Sequence, residues 1–570
     1  MTLDSDIAQN AELVIGLVGA VGTDLERVTT LLAGELKTFR YNTTLVDNGE
    51  NRIRLSSLLH QLPKYQSLTK IKDEYEYIRE HMNAGDDFRK TTGQNDALAV
   101  LAIFRIIKLR ESLEKENKLQ NKIVPRQAYI LRSLKNPAEL TTLREIYGDA
   151  FYLVAAYSPR KVRRQNLALR ISARRRLASS AFNDKAEELI QRDEEELGIL
   201  HGQNVSGLFH QADIFINATD DVSTMRQSLR RFVRLIFGDT FNTPTRAEYA
   251  MFHAHAASLR SAELGRQVGA VIATNEGDIV AVGCNEVPKP GGGTYWYPDK
   301  PDGREFVEEY DTGAGTHRES NEDHIRFVIR DNLSDLKNAG WLSPERAILS
   351  EQELLEAALA EEGLRGIAPD VLKPLLSFLK KSQWLSAGKS QLSDEDLLEL
   401  AISRNPPAIP KGSRIRSLIE FGRAVHAEMA ALTDAAKRGV SVDGCIMYVN
   451  VWPCHLCARH IVSAGITKLI YIEPYAKSLA AELYPDSIEV EGGNSGKVSF
   501  EPFVGVAPRQ YIRLFEMTKR KTKDGMVLRV DPSTANLRYS ALPRTYLRNE
   551  DDHVQTLINI MTEKKLWPPD

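Results

Sequence analysis

The sequence predicts an α/β protein in two parts: a doubly wound domain over residues 1–240, then a second α/β unit over residues 241–570 that a helical insertion interrupts at about 298–412. Three observations carry this reading. The chain has 570 residues, and single hydrophobic cores stop growing at ~250 to 300 residues. Apolar runs of strand length alternate with helical periodicity in both parts. Within the second part that alternation gives way to a long stretch that is helical and polar.

The elements follow in order. "ELVIGLVG", from Glu12, is a buried-strand run ending in glycines. Thr23 or Asp24 caps the helix after it, with Leu25, Val28, Leu31 and Leu32 on one face. Further strands are "QAYILRSL" from Gln127, "FYLVAAYS" from Phe151 and "ADIFINA" from Ala212, with helical stretches between them, and this domain ends near Phe237 to Asn242. The second unit opens with a helix from about Pro244, then two apolar runs around "NEGD" that read as a hairpin. In the insertion, Ser350 and Glu353 form a capping box for "EQELLEAALAEEG", Gly363 stops that helix, and "NPPAIPKG" from Asn405 is a linker. The α/β pattern resumes at Ile415. A helix ended by Lys437, Arg438 and Gly439 is followed by the strand "CIMYVN", a helix after Pro453 and the strand "KLIYI". From about Gly505 a tail carries a basic "KRKTK".

Composition excludes several classes. The chain is 42% hydrophobic and 26% charged, and 74 basic against 77 acidic groups leave a net charge of −3. That balance does not advertise bulk binding to nucleic acid. The N-terminal apolar run has an acidic lead and is broken by glycines short of the ~20 residues a membrane span needs, so a cytoplasmic protein with no membrane partner is expected. The four cysteines, Cys284, Cys445, Cys454 and Cys457, are too few to staple a chain of this length. Two of them have the spacing of metal or redox ligands.

The chemistry concentrates in "VHAEMAAL", from Val425, and "WPCHLCARHIVSAG", from Trp452. A catalytic zinc site takes three protein ligands and leaves a fourth position for water. His426, Cys454 and Cys457 supply that number, so one Zn2+ per chain is expected. In a Cys-x-x-Cys turn that opens a helix both sulfurs can face one point, and the helix's positive end favours thiolates. Glu428 then stands near the metal without being needed as a ligand, free to carry protons between water and a leaving amine. The 28 residues from His426 to Cys454 accommodate the rest of a helix, a loop and a strand. A thioredoxin-like reading of the cysteine pair gives His426 and Glu428 no role.

His-x-Glu followed by Pro-Cys-x-x-Cys, here His426, Glu428, Pro453, Cys454 and Cys457, is the signature of zinc-dependent deaminases. Residues from about 243 to 300 and 420 to 500 also resemble the deoxycytidylate deaminase family in Arg260 with Ser261, in "QVGA" from Gln267 and in Asn285 of "CNEVP". The resemblance implies a three-layer α/β/α, cytidine-deaminase-like domain in which Asn285 helps hold the sugar or base; a plain turn residue is the alternative. Arg260 and Arg266 suit nucleotide phosphates, although surface ion pairs are an equal reading of Arg266. Trp296 can stack on a base or belong to a core or interface. Ala430 stands where related deaminases often carry a second asparagine.

Taken whole, the chain resembles the bacterial anti-phage dCTP deaminases, which join a P-loop-kinase-like domain to a deaminase. The resemblance implies conversion of the deoxycytidine nucleotides dCTP and dCMP to dUTP and dUMP as an antiviral defence. It also implies a homo-oligomer, control by an inhibitory small RNA, and a thymidine-nucleotide or dCTP allosteric site. Its first domain is expected to bind nucleotide through Gly19, Gly22 and Thr23, with Mg2+ accompanying the nucleotide. Against G-x-x-x-x-G-K-[ST], however, Leu17, Thr23 and Asp24 stand where Gly, Lys and Ser or Thr belong. Kinase turnover is therefore not expected, and a sensing role is. The arginine-rich run from Pro159 reads as a kinase-type lid, an RNA contact or a solvated helix face. Two other functions stand beside the nucleotide deaminase: a deaminase of single-stranded nucleic acid, and a non-catalytic nucleotide-sensing protein with a structural zinc.

Overall fold

The computed structural model describes residues 12–43, 53–117, 124–173, 178–194, 202–304, 319–339, 348–359, 418, 420–475, 478–490, 496–539 and 545–567. Gly363, the linker from Asn405 and Ile415 lie outside the described residues.

One sheet is formed by β1 (Leu13–Val18), β2 (Ile53–Arg54), β3 (Ala128–Arg132), β4 (Phe151–Tyr157), β5 (Ile214–Asn217) and β12 (Gly505–Val506). Its order is β12-β5-β4-β1-β3-β2, and every pairing is parallel except that of β12 with β5. A parallel sheet must be covered on both faces, and β1 shows how. Val14 and Val18 enter one core, while Leu13, Ile15 and Leu17 enter the other. The second core receives Val28, Leu31 and Leu32 of the helix Leu25–Thr38, which Asp24 caps, as the periodicity predicts.

The other sheet runs β10-β11-β9-β8-β6-β7, built from β6 (Gly269–Ala273), β7 (Ile279–Cys284), β8 (Ile446–Val451), β9 (Lys468–Glu473), β10 (Ile488–Val490) and β11 (Val498–Pro502). β6 is antiparallel to both its neighbours, which makes the predicted hairpin; the other pairs are parallel. Two glycines set the layers. A Cβ on Gly269 would lie 1.9 Å from the Ala254 carbonyl oxygen, and one on Gly283 would lie 2.2 Å from that of Ala427. Gly283 pairs with Ala270, one step out of phase with Gly269, so the helices Arg246–Ser258 and Ala427–Arg438 lie on opposite faces of the sheet.

Both sheets belong to one compact unit, Met1–Leu259, Val268–Cys284 and Ala427–Asp570; a second comprises Arg260–Gln267 and Asn285–His426. In the first unit, Ala250, Met251, Val271 and Tyr448 share a core with Val14, Leu131 and Leu153 of the first sheet. The stretch from Gly505, read as a tail of the second domain, instead returns to the first sheet. It supplies β12 and then the helix Tyr546–Glu563, whose Glu550 is buried with Arg110 and Glu12. In the second unit the helices Ser320–Asn338 and Glu351–Leu359 close a small core of Ile325, Ile329 and Leu355. Ser350 and Glu353 form the predicted box, with hydrogen bonds of 2.8 and 3.3 Å. Among the described residues no helix is long and apolar enough to cross a membrane.

Candidate metal centre

The two sulfurs are placed by the turn between β8 and the helix His455–Ser463. The Trp452 backbone N–H donates to the Glu473 carbonyl at 2.7 Å, and its ring packs edge-on against Tyr471 and Phe500. Its indole N–H donates to Ser478 Oγ at 3.1 Å, and that hydroxyl donates to the Pro453 carbonyl at 2.7 Å. The turn so anchored makes Cys454 the helix N-cap, its Sγ accepting from the Cys457 N–H at 3.4 Å. Both sulfurs are buried at the positive end of that helix.

His426 and Glu428 lie at the start of a different helix, Ala427–Arg438. Val425 exchanges backbone hydrogen bonds of 3.0 and 3.2 Å with Glu286, which fixes the chain as it enters the helix Ala427–Arg438. Glu428 sits in the first turn, 3% exposed. His426, Cys454 and Cys457 converge, with one ligand atom from each lying within 4.8 Å of the others. Tetrahedral zinc with bonds of about 2.0–2.3 Å separates its ligand atoms by roughly 3.5–3.8 Å, so small side-chain adjustments suffice. Two sulfurs and one imidazole are a donor set zinc accepts. The Cys457 thiol is pushed well above the usual thiol range by its hydrogen bond to Cys454, then by burial, then by the Glu428 charge. A divalent cation is the partner that offsets this concentration of negative charge.

The remaining candidates fall into two groups in the second unit. Asn285 is 7% exposed, and its amide donates to the Arg266 carbonyl at 2.7 Å while the Arg266 side chain is exposed. Arg260 donates to Thr294 Oγ1 at 2.7 Å and to the Tyr295 carbonyl at 2.9 Å, and its guanidinium lies 3.6 Å from the centre of the Trp296 ring. Trp296 is 57% exposed, so it is not a core residue of its unit. Sequence reasoning missed Glu286. Buried at 1% exposure, it accepts from the Ala262 and Val287 N–H groups at 3.1 and 2.9 Å and joins the Arg260–Gln267 segment to the Asn285 strand end. An acidic residue beside the candidate asparagine was the available signal.

In the first sheet's domain, Gly19, Gly22 and Thr23 line a cavity of about 620 Å3. Gly22 has φ +89°, and a Cβ there would lie 2.6 Å from the Arg163 carbonyl oxygen. The arginine-rich run forms the helix Arg160–Ser172 over this loop, where Asn166 donates to the Gly22 carbonyl at 3.1 Å. Arg160 pairs with Glu187 at 2.6 Å and Arg170 with Glu74. Residues 174–177 of the run lie outside the described residues.

The architecture and the site define a class: a mixed α/β protein with a zinc-type His, Cys, Cys group, and the region that carries this group is similar to the deoxycytidylate deaminases. Residues 386–473 match the family model for the cytidine and deoxycytidylate deaminase zinc-binding region. The deoxycytidylate deaminase of Enterobacteria phage T2 is 46% identical over 54 residues, 10% of this chain and 29% of that protein. The human deoxycytidylate deaminase is 34% identical over 83 residues, 14% of this chain and 41% of that one. The chain thus spans less than half of these curated relatives. A crystal structure of the dCMP deaminase of cyanophage S-TIM5 in complex with dCMP and dUMP aligns over 45% of this chain and 95% of its own, at 17% identity and a TM-score of 0.20.

Proposed function

We propose that the chain is a zinc-dependent hydrolase that deaminates deoxycytidine nucleotides, dCTP and dCMP, to dUTP and dUMP. The observation that carries this is the meeting of His426, Cys454 and Cys457 with Glu428 buried two residues from the imidazole. A zinc ion held by those three side chains would act as a Lewis acid and activate water for attack on the amine-bearing ring carbon. Glu428 takes the proton that water must lose and returns it to the departing amine, so that water and the cytosine amine become a carbonyl and ammonia. Burial serves this role, because a proton carrier in a water-poor site keeps the proton for the reacting atoms. Asn285 holds the sugar or base, and the Arg260–Trp296 stack offers the nucleotide a flat cationic platform, with Arg266 at hand for phosphate.

Three features favour free nucleotides over a polymer: the net charge of −3, the pairing of the arginine-rich helix with Glu74 and Glu187, and relatives named deoxycytidylate deaminases. Depletion of dCTP against phage is the cellular role this reading implies, and the first domain is its nucleotide-binding sensor. Ammonia release on dCTP, dCMP, cytidine and single-stranded DNA tests the substrate class. Turnover confined to the two nucleotides is expected; turnover on single-stranded DNA alone overturns the assignment.

A further inference from the structure

The glycine loop lacks the lysine of a working phosphate-binding loop, yet a lysine reaches it from elsewhere. Lys135, just beyond β3, extends its ammonium to the Gly19 carbonyl at 3.2 Å and to Asp193 Oδ1 at 2.7 Å. The other oxygen of Asp193 accepts the Val21 backbone N–H of the loop at 2.6 Å. Asp193 is fully buried while Lys135 keeps 19% of its side-chain surface exposed, and both line the 620 Å3 cavity. One carboxylate therefore holds the two donors, a loop N–H and a lysine ammonium, that a phosphate at a glycine loop would use. Five basic side chains and three carboxylates line this space, whose volume is in the range of nucleotide-sized sites.

We propose that Lys135 is the phosphate cation of this pocket, relocated from the loop to the end of β3, and that Asp193 is an internal anion that a nucleoside phosphate must displace to bind. The inference rests on the reading of the first domain as a nucleotide-binding sensor and supplies its mechanism. A phosphate cannot approach Lys135 while Asp193 keeps it, since two anions would face each other across one ammonium. Exchange is feasible because a buried ion pair sits near energetic balance, its desolvation cost offsetting most of its attraction. A phosphate brings more charge and more acceptor oxygens to the same two donors. Asp193 thus sets a threshold: the pocket answers to nucleotide concentration instead of staying filled.

The test is equilibrium binding of a fluorescent ATP analogue to the full chain over a series of ionic strengths, with inorganic pyrophosphate as competitor. Wild type is compared with Asp193→Asn, Lys135→Gln and Lys135→Arg. Asp193→Asn keeps an acceptor for Val21 but removes the competing charge, so affinity rises at least about tenfold. Lys135→Gln lowers it at least about tenfold, the worth of one hydrogen bond to a charged group, and flattens its salt dependence; Lys135→Arg restores both. Equal affinity in wild type, Asp193→Asn and Lys135→Gln overturns this inference and leaves the sensor reading standing. Absence of binding in every chain, Asp193→Asn included, overturns both. Thermal melts identify a variant that fails to fold. If Asp193→Asn is that variant, the contrast between Lys135→Gln and Lys135→Arg decides, since a purely structural lysine predicts no difference in affinity between them.

Discussion

Gly283→Ala tests whether the sheet and the helix Ala427–Arg438 must touch. The added Cβ would lie 2.2 Å from the Ala427 carbonyl oxygen and 2.4 Å from the Ala431 nitrogen, both backbone atoms of the helix that bears Glu428. The shortest ordinary carbon–oxygen approach is about 3.3 Å, so the helix must recede by roughly 1 Å. Overpacking of this kind costs about 1–3 kcal/mol of stability. The larger effect falls on the site, because Ala427 lies between His426 and Glu428 and a displacement of about 1 Å can cost ~100-fold in rate. Thermal melting, zinc content and ammonia release from dCMP on the purified variant give the three readouts. Activity should fall by far more than the melting transition implies. A Gly283→Ala protein with wild-type turnover would show that this contact does not position the site.

Other expectations follow from the same structure. Arg260→Lys keeps the charge but loses the flat guanidinium over the exposed Trp296, an interaction of about 0.5–1 kcal/mol, so KM for dCMP should rise by roughly 2- to 5-fold with kcat little changed; steady-state kinetics decide. Arg110→Ala strands Glu12 and Glu550, which Arg110 bridges at 2.8–3.1 Å, and breaking such a buried network costs about 3–5 kcal/mol. Hydrogen exchange across Tyr546–Glu563 should then accelerate while exchange in β8 and β9 changes less. His81 is lowered to about 4, by burial first and by His60 and Arg54, against its hydrogen bond to the Tyr77 carbonyl. Its folded value lies below its unfolded one, so the stability it contributes is present above pH ~6.5 and lost as pH falls toward 4. The melting transition of His81→Gln should depend less on pH across that window than that of wild type, and an unchanged slope contradicts this. Removal of metal with a chelator should lower the melting transition, and zinc should restore it, because a ligand that binds only the folded state stabilises it.

What the sequence discloses depends on how local the physics is. The metal-type group is legible because each ligand sits in a short motif whose spacing is fixed by a helix start. Strands β1, β3, β4 and β5 are legible because they are buried on both faces and so read as unbroken apolar runs. The two-residue β12 carries no periodicity, and nothing in its sequence says that it pairs with Phe215 and Ile214. Lys135 and Asp193 lie 58 residues apart, so their ion pair at the glycine loop exists only in the folded chain. The glycine of closest approach, Gly283, looks like any strand glycine until the helix above it is seen. Glu286 is marked in the sequence only by standing beside Asn285, because a buried carboxylate that organises backbone has no pattern of its own.

The proposed reaction stands on Glu428 moving protons at a metal held by His426, Cys454 and Cys457. Zinc content and ammonia release, measured together on wild type and Glu428→Gln with dCMP and dCTP, test it most directly. About one zinc per chain is expected in both proteins, with turnover in wild type and a loss of at least ~100-fold in the variant, the usual worth of a general acid–base group. A zinc-loaded wild type that releases no ammonia from either nucleotide, or a Glu428→Gln protein that turns over as fast as wild type, would contradict it.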